Sequence, residues 1–200
     1  RVPDRTALTC GQQRSTYLQL EQRANRLAHF LARQGVQAGQ HVGLYLYNCN
    51  EYLEGMLACF KLRAVPININ YRYVEEELAY ILSNADLVAC IHHREFSPHI
   101  AAVRGTAPAL KTFIYVDDSS GADTDTIGST AYEQALAGQS AERDFPERAD
   151  DDLFILYTGG TTGMPKGVMW PHKHVFYAAM GGGGYFHPDG VITQPEQIAD

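Results

Sequence analysis

The sequence predicts an α/β fold in which a mainly parallel sheet is layered with helices. Short apolar runs alternate along the chain with segments of helical periodicity, as repeated β–α–β units require. The apolar run 153–157 has no polar alternation, which is expected of a strand buried on both faces. Hydrophobic residues make up 45% and charged residues 20% of the 200 residues, which argues against a disordered or fibrous chain.

A strand over 6–10 is predicted first, and a helix follows it. Thr16 is a good N-cap, and Gln19 stands three residues later, where a capping box places its second partner. The helix then carries one apolar stripe at i, i+4, i+7 and i+11, formed by Leu20, Ala24, Leu27 and Leu31. Gly35 stands where a C-terminal cap belongs.

Strands and helices then alternate. Strands are predicted over 42–46, 64–69, 87–91 and 112–116. The helices between them are indicated by apolar faces at Leu53, Leu57 and Phe60, at Val74, Leu78, Ile81 and Leu82, and by a short segment over 99–104. The polar stretches 117–128 and 138–152 are predicted to be solvated connections, and a last helix is expected within 171–180.

Composition and charge exclude several classes of protein. The net charge is −7 and no Lys or Arg cluster occurs, so a nucleic-acid groove is not expected. No apolar run approaches the ~20 residues of a membrane-spanning helix. The four cysteines form no C-x-x-C pair, which suits reduced, buried thiols in a cytoplasmic protein. The spacing of Cys90, His92, His93 and His99 matches no zinc pattern, so no metal site is predicted.

The residues after the apolar run 153–157 carry the chemistry. Glycine leaves backbone N–H groups free to approach an anion, and four glycines occur here: Gly159, Gly160, Gly163 and Gly167. Three hydroxyls add neutral donors, namely those of Thr158, Thr161 and Thr162. Lys166 supplies a compact positive charge that suits a phosphate oxygen. Because ligands of open α/β sheets bind at the carboxyl ends of strands, we expect a loop that holds a polyphosphate.

Two familiar phosphate motifs fail on spacing. A Walker motif has Gly before its Lys and Ser or Thr after it, whereas Lys166 stands between Pro165 and Gly167. The dinucleotide pattern G-x-G-x-x-G is absent from this segment. A flexible Gly/Thr turn without a ligand is the alternative explanation.

The segment 157–167 resembles the phosphate-binding signature of the adenylate-forming superfamily, which includes acyl-CoA synthetases, firefly luciferase and the adenylation domains of peptide synthetases. Residues 15–20 resemble the early T-Y-x-x-L helix entry of that superfamily, and 61–68 resemble its second core segment. The opening residues 1–8 are also similar, so the resemblance extends over nearly the whole chain in the correct order. The segments 157–170 and 68–73 most resemble actinobacterial-type synthetases for fatty acids or steroid side chains.

The resemblance implies a two-step reaction. A carboxylate attacks the α-phosphate of ATP to give an acyl-adenylate and pyrophosphate, and coenzyme A then displaces AMP to give a thioester. In this scheme 158–167 hold the β- and γ-phosphates, the threonines donate hydrogen bonds, and Lys166 acts as the catalytic cation. Mg²⁺ shields the phosphates and is held elsewhere. The substrates are a small carboxylic acid, ATP and coenzyme A.

The same resemblance predicts that residues 1–200 are a partial N-terminal domain. The later acidic Mg²⁺ ligand, the ribose-binding Asp, the C-terminal half and the small lid domain are not found in this sequence. We therefore expect the 200 residues to be inactive alone, with most contacts to the cofactors outside them. Two alternatives stay open: another adenylate-forming enzyme, such as a peptide-synthetase adenylation domain, and a non-catalytic nucleotide-binding or scaffold fragment. A homodimer is also left open.

Overall fold

The structure is a computed structural model that describes residues 2–160, 163–179, 183, 190–192 and 197. Strands in this part of the chain are β1 (Thr6–Cys10), β2 (Gln13–Thr16), β3 (His41–Tyr45), β4 (Val65–Asn68), β5 (Leu87–His93), β6 (Thr112–Val116), β7 (Thr130–Ala131), β8 (Leu153–Gly160) and β9 (Gly163–Pro171). The helices are α1 (Tyr17–Arg33), α2 (Asn50–Lys61), α3 (Glu75–Asn84), α4 (Ser97–Val103), α5 (Tyr132–Leu136) and α6 (His172–Ala179).

Seven of these strands form one sheet in the order β7-β6-β5-β3-β4-β8-β9. Every neighbouring pair is parallel except β8 and β9, which are antiparallel. The strands β1 and β2 form a separate antiparallel pair. One hydrophobic cluster contains residues of α3 and α4, and a second contains residues of α1, α2 and α5. The predicted α/β fold, with a mainly parallel sheet layered with helices, is confirmed.

The start of α1 matches the sequence prediction. The Thr16 hydroxyl accepts a hydrogen bond from the Gln19 backbone N–H at 3.2 Å, and the Gln19 side chain accepts one from the Thr16 N–H at 2.8 Å. This reciprocal pair is a capping box, and it satisfies two of the donors that a helix start leaves unpaired. Gly35 follows the C-cap with φ of 90°, a conformation in which glycine carries no steric penalty.

The predicted apolar face of α2 is wrong. Leu53 is exposed, and the buried positions are Asn50, Glu54, Gly55, Ala58 and Cys59. The physical reason is close approach to the sheet, because a Cβ on Gly55 would lie 3.0 Å from Cδ2 of Leu44 and 3.2 Å from Cδ1 of Ile91. Small residues therefore face β3 and β5.

The buried face of α2 also contains a carboxylate, that of Glu54, which an apolar stripe would not include. The carboxylate of Glu54 accepts hydrogen bonds from Arg23 and from the Tyr132 hydroxyl, both at 2.7 Å. These two partners let the carboxylate stay inside the fold, since a buried charge without partners is costly. Helical periodicity of apolar residues cannot reveal a face built in this way.

Strand β5 extends two residues beyond its predicted end and includes His92 and His93, both of which are buried. The predicted end of this strand at residue 91 is therefore wrong. Each has a partner inside the fold: His92 Nε2 lies 3.0 Å from the Ser129 hydroxyl, and His93 Nδ1 accepts a hydrogen bond from the Tyr47 N–H. The short elements β2, β7 and α5 were not predicted, because pieces of two to five residues carry too little periodicity.

Candidate functional site

The glycine-rich segment forms a β-hairpin, and this corrects the expectation of a loop over 158–167. Strand β8 continues to Gly160, and β9 begins again at Gly163. Thr158 lies opposite Lys166, and Tyr157 lies opposite Gly167. Backbone pairing therefore uses part of the N–H and C=O groups that a free loop would offer to a ligand. Thr161 and Thr162, predicted to donate hydrogen bonds, lie outside the described residues.

The register of the hairpin shifts near its tip. Lys166 opposes Thr158, whereas Gly163 opposes Gly160, so β9 has one residue more than β8 over this interval. The additional residue is accommodated beside Pro165, which has no N–H and is tolerated at bulges and on edge strands. This bulge frees the ladder from regular pairing directly before Lys166 and increases the local twist.

The tip of the hairpin projects beyond the carboxyl edge of the parallel sheet. Strand β4 pairs with β8 at Ile67 and Ile155, and β4 ends one residue later. The stretch from Thr158 to Gly160 therefore extends past β4 by roughly 10 Å at about 3.3 Å per residue. Thr158 and Lys166 are both exposed there. Residues opposite each other in an antiparallel pair share one face, so the side chains of Thr158 and Lys166 leave the hairpin on the same face.

The other face of the hairpin packs towards α3. The Tyr157 hydroxyl donates a hydrogen bond of 2.8 Å to Oδ1 of Asn84, the last residue of α3. The Tyr157 ring also covers Gly167, because a Cβ on this glycine would lie 3.2 Å from the ring atoms Cε2 and Cζ. Gly167 is thus a site of close packing in addition to its predicted place in the phosphate segment. The sequence offered no signal for Asn84, which is 73 residues from Tyr157.

A cavity of about 380 Å³ opens beside the hairpin, at the carboxyl ends of β3 and β4. Tyr157 forms one wall, and the other lining residues are Leu46, Asn48, Tyr52, Asn68, Ile69, Asn70, Tyr71 and Tyr73. Amide and phenol groups predominate in this lining. The position is where open α/β sheets bind their ligands, and it lies next to the projecting tip.

A larger cleft of about 510 Å³ lies at the opposite end of β8 and β9. Its charged lining includes Lys61, Arg143, Arg148 and Lys173, with Glu147 and Asp150 among them. The Lys61 ammonium already pairs with Glu21 at 2.7 Å. This cleft is separated from the hairpin tip by the length of the strands, so it takes no part in the predicted site.

The base of the hairpin is held by an ion pair. The Arg63 guanidinium binds the carboxylate of Asp152, with Nη2 2.9 Å from Oδ1. Burial alone would raise the pKa of Asp152, but hydrogen bonds from Arg63 and from the Ala149 N–H outweigh it and lower the pKa below its usual value. The Asp152 carbonyl also accepts the His172 N–H at 2.8 Å, so one residue joins β8, α2 and the start of α6.

The cysteines and histidines do not form a metal site in the part of the chain that the structure describes, where no group of three metal-ligating side chains occurs. The four cysteines are free; Cys59 and Cys90 are buried, as predicted, whereas Cys10 and Cys49 are partly exposed. Burial lowers the pKa of His92 from 6.5 to about 4, which keeps this imidazole neutral near pH 7.

Comparisons with known proteins show what the chain is similar to. The chain is 53% identical over 198 residues to the 3-oxocholest-4-en-26-oate–CoA ligase of Rhodococcus rhodochrous, covering 99% of this chain and 36% of the relative. It is 48% identical over 185 residues to a medium/long-chain-fatty-acid–CoA/3-oxocholest-4-en-26-oate–CoA ligase of Mycobacterium marinum, covering 90% of this chain and 34% of the relative. The chain thus spans about a third of the length of these relatives.

Solved structures give the same result for the fold. The anthranilate CoA ligase AuaEII in complex with anthranoyl-AMP has a TM-score of 0.79 and 28% identity, covering 86% of this chain and 32% of that one. A fatty acyl CoA synthetase of Mycobacterium tuberculosis has a TM-score of 0.65 and 29% identity, covering 80% of this chain and 30% of that one. The family described as AMP-binding enzyme matches residues 1–195. The chain therefore belongs to the AMP-binding enzyme family.

Proposed function

We propose that this chain is the N-terminal part of an ATP-dependent acyl-CoA synthetase. The complete enzyme would join a carboxylic acid to coenzyme A through an acyl-adenylate, releasing pyrophosphate and then AMP. One observation carries the proposal: a glycine-rich hairpin projects from the carboxyl edge of the sheet with Thr158 opposite Lys166. The names of the relatives support the chemistry, because they are CoA ligases.

The proposed acid is hydrophobic, either fatty or steroidal. Relatives with 53% and 48% identity are named for 3-oxocholest-4-en-26-oate, and one of them also for medium- and long-chain fatty acids. An amino acid, the substrate of the alternative peptide-synthetase adenylation domain, has no comparable support among these names. Residues 1–200 would supply the phosphate hairpin, while most of the acyl pocket and the lid domain lie elsewhere in the polypeptide.

In this proposal the hairpin binds the β- and γ-phosphates of ATP. Lys166 places a positive charge near the pyrophosphate as the one bond between its bridging oxygen and the α-phosphorus lengthens, and Thr158 donates a neutral hydrogen bond. Thr161 and Thr162 would add two hydroxyls. The cradle would be completed by those backbone N–H groups of Gly159, Gly160, Gly163 and Gly167 that the ladder leaves unpaired. Stabilisation of charge that develops in the transition state, together with positioning, is the usual enzymic contribution to such a step.

The described residues do not form a dedicated protein cage for Mg²⁺. They contain no group of three His, Cys, Asp or Glu side chains that could hold a metal ion, and the facing pair at the hairpin tip is a hydroxyl and an ammonium. Hard cations such as Mg²⁺ prefer carboxylate and phosphate oxygens. We therefore assign no Mg²⁺ ligand to this part of the chain.

The proposed cellular location is the cytoplasm, where ATP and coenzyme A are substrates and thiols stay reduced. Among the described residues, none of the helices is both long and apolar enough to cross a bilayer. A homodimer remains compatible with the proposal.

Carboxylate-dependent exchange between ATP and pyrophosphate on the full-length polypeptide tests the proposal. The panel comprises short, long-chain and steroidal acids together with amino acids, followed by a thioester assay with coenzyme A. Exchange and thioester formation with an apolar acid are expected. Exchange with an amino acid alone would move the protein to the peptide-synthetase branch, and no exchange with any acid would favour a non-catalytic fragment.

A further inference from the structure

We propose that Tyr157 is a positioning residue, whose hydrogen bond to Asn84 and ring contact with Gly167 set the direction in which the hairpin tip points. This inference rests on the proposed function for its catalytic consequence, because the tip carries Lys166. The anchoring itself is a property of the fold and can be measured without any reaction.

The bond to Asn84 is a lateral restraint on the part of the hairpin beyond the sheet edge, in addition to the packing of Tyr157 against the hydrophobic cluster that contains residues of α3. Strand β4 contacts β8 through the single register pair Ile67–Ile155, so the later residues of β8 have β9 as their only strand partner in the described part of the chain. Within the described residues of β8 and β9, Tyr157 makes the one side-chain hydrogen bond to another element. A two-stranded ribbon without such a restraint twists and bends readily.

The anchor point on α3 is itself rigid. The helix packs on the sheet through Leu78, Ile81 and Leu82, which are fully buried. Asn84 ends this helix and is exposed, so its amide oxygen is available to Tyr157 at the surface. The Tyr157 hydroxyl is thus bound to a helix that is packed on the hydrophobic core, and not to another loop.

Gly167 transmits the position of Tyr157 to the second strand. The two residues oppose each other across the ladder, and the ring lies so close to Gly167 that an added Cβ would come within 3.2 Å of it. The next pair towards the tip is Thr158 and Lys166. Because paired residues move together, fixing the Tyr157–Gly167 pair restricts where the Lys166 ammonium can reach. A shift of even one ångström matters for a charge that must meet a developing anion.

A double-mutant cycle with Tyr157→Phe and Asn84→Ala tests the pair in the full-length polypeptide. The phenylalanine keeps the ring over Gly167 and removes only the hydroxyl. Each single variant is expected to lower kcat/KM for ATP in pyrophosphate exchange by about three- to tenfold, the range that one neutral hydrogen bond supports. The kcat/KM of the double variant should be no lower than that of the less active single variant, because both substitutions remove the same hydrogen bond. Asn84→Asp keeps an acceptor oxygen and should retain activity.

Two matched controls separate anchoring from general damage. Ser83→Ala changes the neighbouring residue of α3, whose hydroxyl bonds only to the Tyr80 carbonyl of its own helix. Tyr115→Phe removes a tyrosine hydroxyl on β6, which is separated from β8 by three intervening strands. Both controls are expected to match the wild type in exchange rate and in KM for ATP.

Amide hydrogen exchange supplies a readout that needs no activity. Tyr157→Phe and Asn84→Ala should accelerate exchange in 158–167 and leave β3 and β5 unchanged, since only the projecting part loses its restraint. Gly167→Ala should do the same by displacing the ring. Unchanged protection of 158–167, or losses in kcat/KM that are additive in the double variant, would overturn the proposal. Faster amide exchange in a protein that shows no ATP–pyrophosphate exchange would instead retain the anchor and reject the proposed function.

Discussion

The Arg63 guanidinium binds the Asp152 carboxylate, although the two residues are 89 positions apart. Arg63 also adopts a φ of 58°, the left-handed conformation that usually belongs to glycine after a helix. The ion pair thus holds a strained residue and joins the end of α2 to the residue before β8. The strain and the pair can be separated by substitution.

Arg63→Ala should destabilise the protein more than Arg63→Gly. Both remove the ion pair, but glycine also relieves the left-handed backbone while alanine keeps it. We expect the melting temperature of the glycine variant to exceed that of the alanine variant by about 2–4 °C, a shift typical of a small change in a domain of this size. Thermal melts followed by circular dichroism measure this difference in melting temperature. An alanine variant at least as stable as the glycine variant would show that the backbone at Arg63 is not strained.

The contribution of Asp152 should disappear in acid. Its pKa is lower in the folded state than its usual 3.8, so the stabilisation is present above pH 3.8 and is lost as the pH falls through the lowered value. The difference in melting temperature between the wild type and Asp152→Asn should hold steady from neutral pH down to about pH 5 and narrow below about pH 4. Asp151→Asn is the control, since Asp151 is exposed beside it. A difference in melting temperature between the wild type and Asp152→Asn that stays constant down to about pH 3 or below would refute the link between the pKa of Asp152 and stability.

His92 should make the fold sensitive to mild acid. Burial lowers its pKa from 6.5 to about 4, so between these values the unfolded chain binds a proton that the folded chain does not. The stability of the wild type is therefore expected to fall as the pH drops through this window. His92→Gln should show a shallower decline in urea midpoint between about pH 7 and about pH 5. The exposed His174→Gln serves as control, and equal slopes for wild type and His92→Gln would reject the assignment.

Gly43 is predicted to be a packing glycine in the centre of the sheet. A Cβ there would lie 2.9 Å from Cδ1 of Ile69 and 3.0 Å from Cδ1 of Leu87, both fully buried side chains. Gly43→Ala should lower the free energy of unfolding by about 1–3 kcal/mol, as overpacking of a core does. Gly105→Ala places the same methyl group where nothing lies within 4 Å and should be neutral. Urea denaturation gives the free energy of unfolding of both variants. Equal values would show that the core accommodates the added methyl group without loss of stability.

Lys166→Ala should slow adenylate formation in the full-length polypeptide by about a hundredfold, the loss typical of one transition-state donor. The KM for ATP should change less, because the charge of the leaving pyrophosphate develops mainly in the transition state. The measurement is pyrophosphate exchange at varied ATP concentration. Lys173→Ala is the control, since Lys173 is exposed in the first turn of α6, beyond the end of β9 that lies opposite the hairpin tip. An unchanged rate in Lys166→Ala would remove Lys166 from the mechanism.

The sequence correctly predicted the elements whose signals are local. The capping box of Thr16 and Gln19 needs four residues, and the strand and helix alternation needs only short windows of hydrophobic periodicity. The apolar run 153–157 was correctly predicted as a strand, but the expected burial on both faces is wrong, because only Ile155 in this run is buried. The hairpin was not, because its glycines and Pro165 have loop-like local preferences and the pairing of Thr158 with Lys166 depends on the neighbouring strand.

The sequence by itself determined the fold class and the family, because both are encoded in ordered local motifs. It also predicts that the ten residues 158–167 carry the chemistry. The tertiary structure decided which face of α2 is buried, where β5 ends, and how the hairpin is held. Asn84 meets Tyr157 from 73 residues away, and Asp152 meets Arg63 from 89. Such contacts form only when the sheet brings distant segments together, since burial and hydrogen bonding across the sheet outweigh the local preferences of the residues involved.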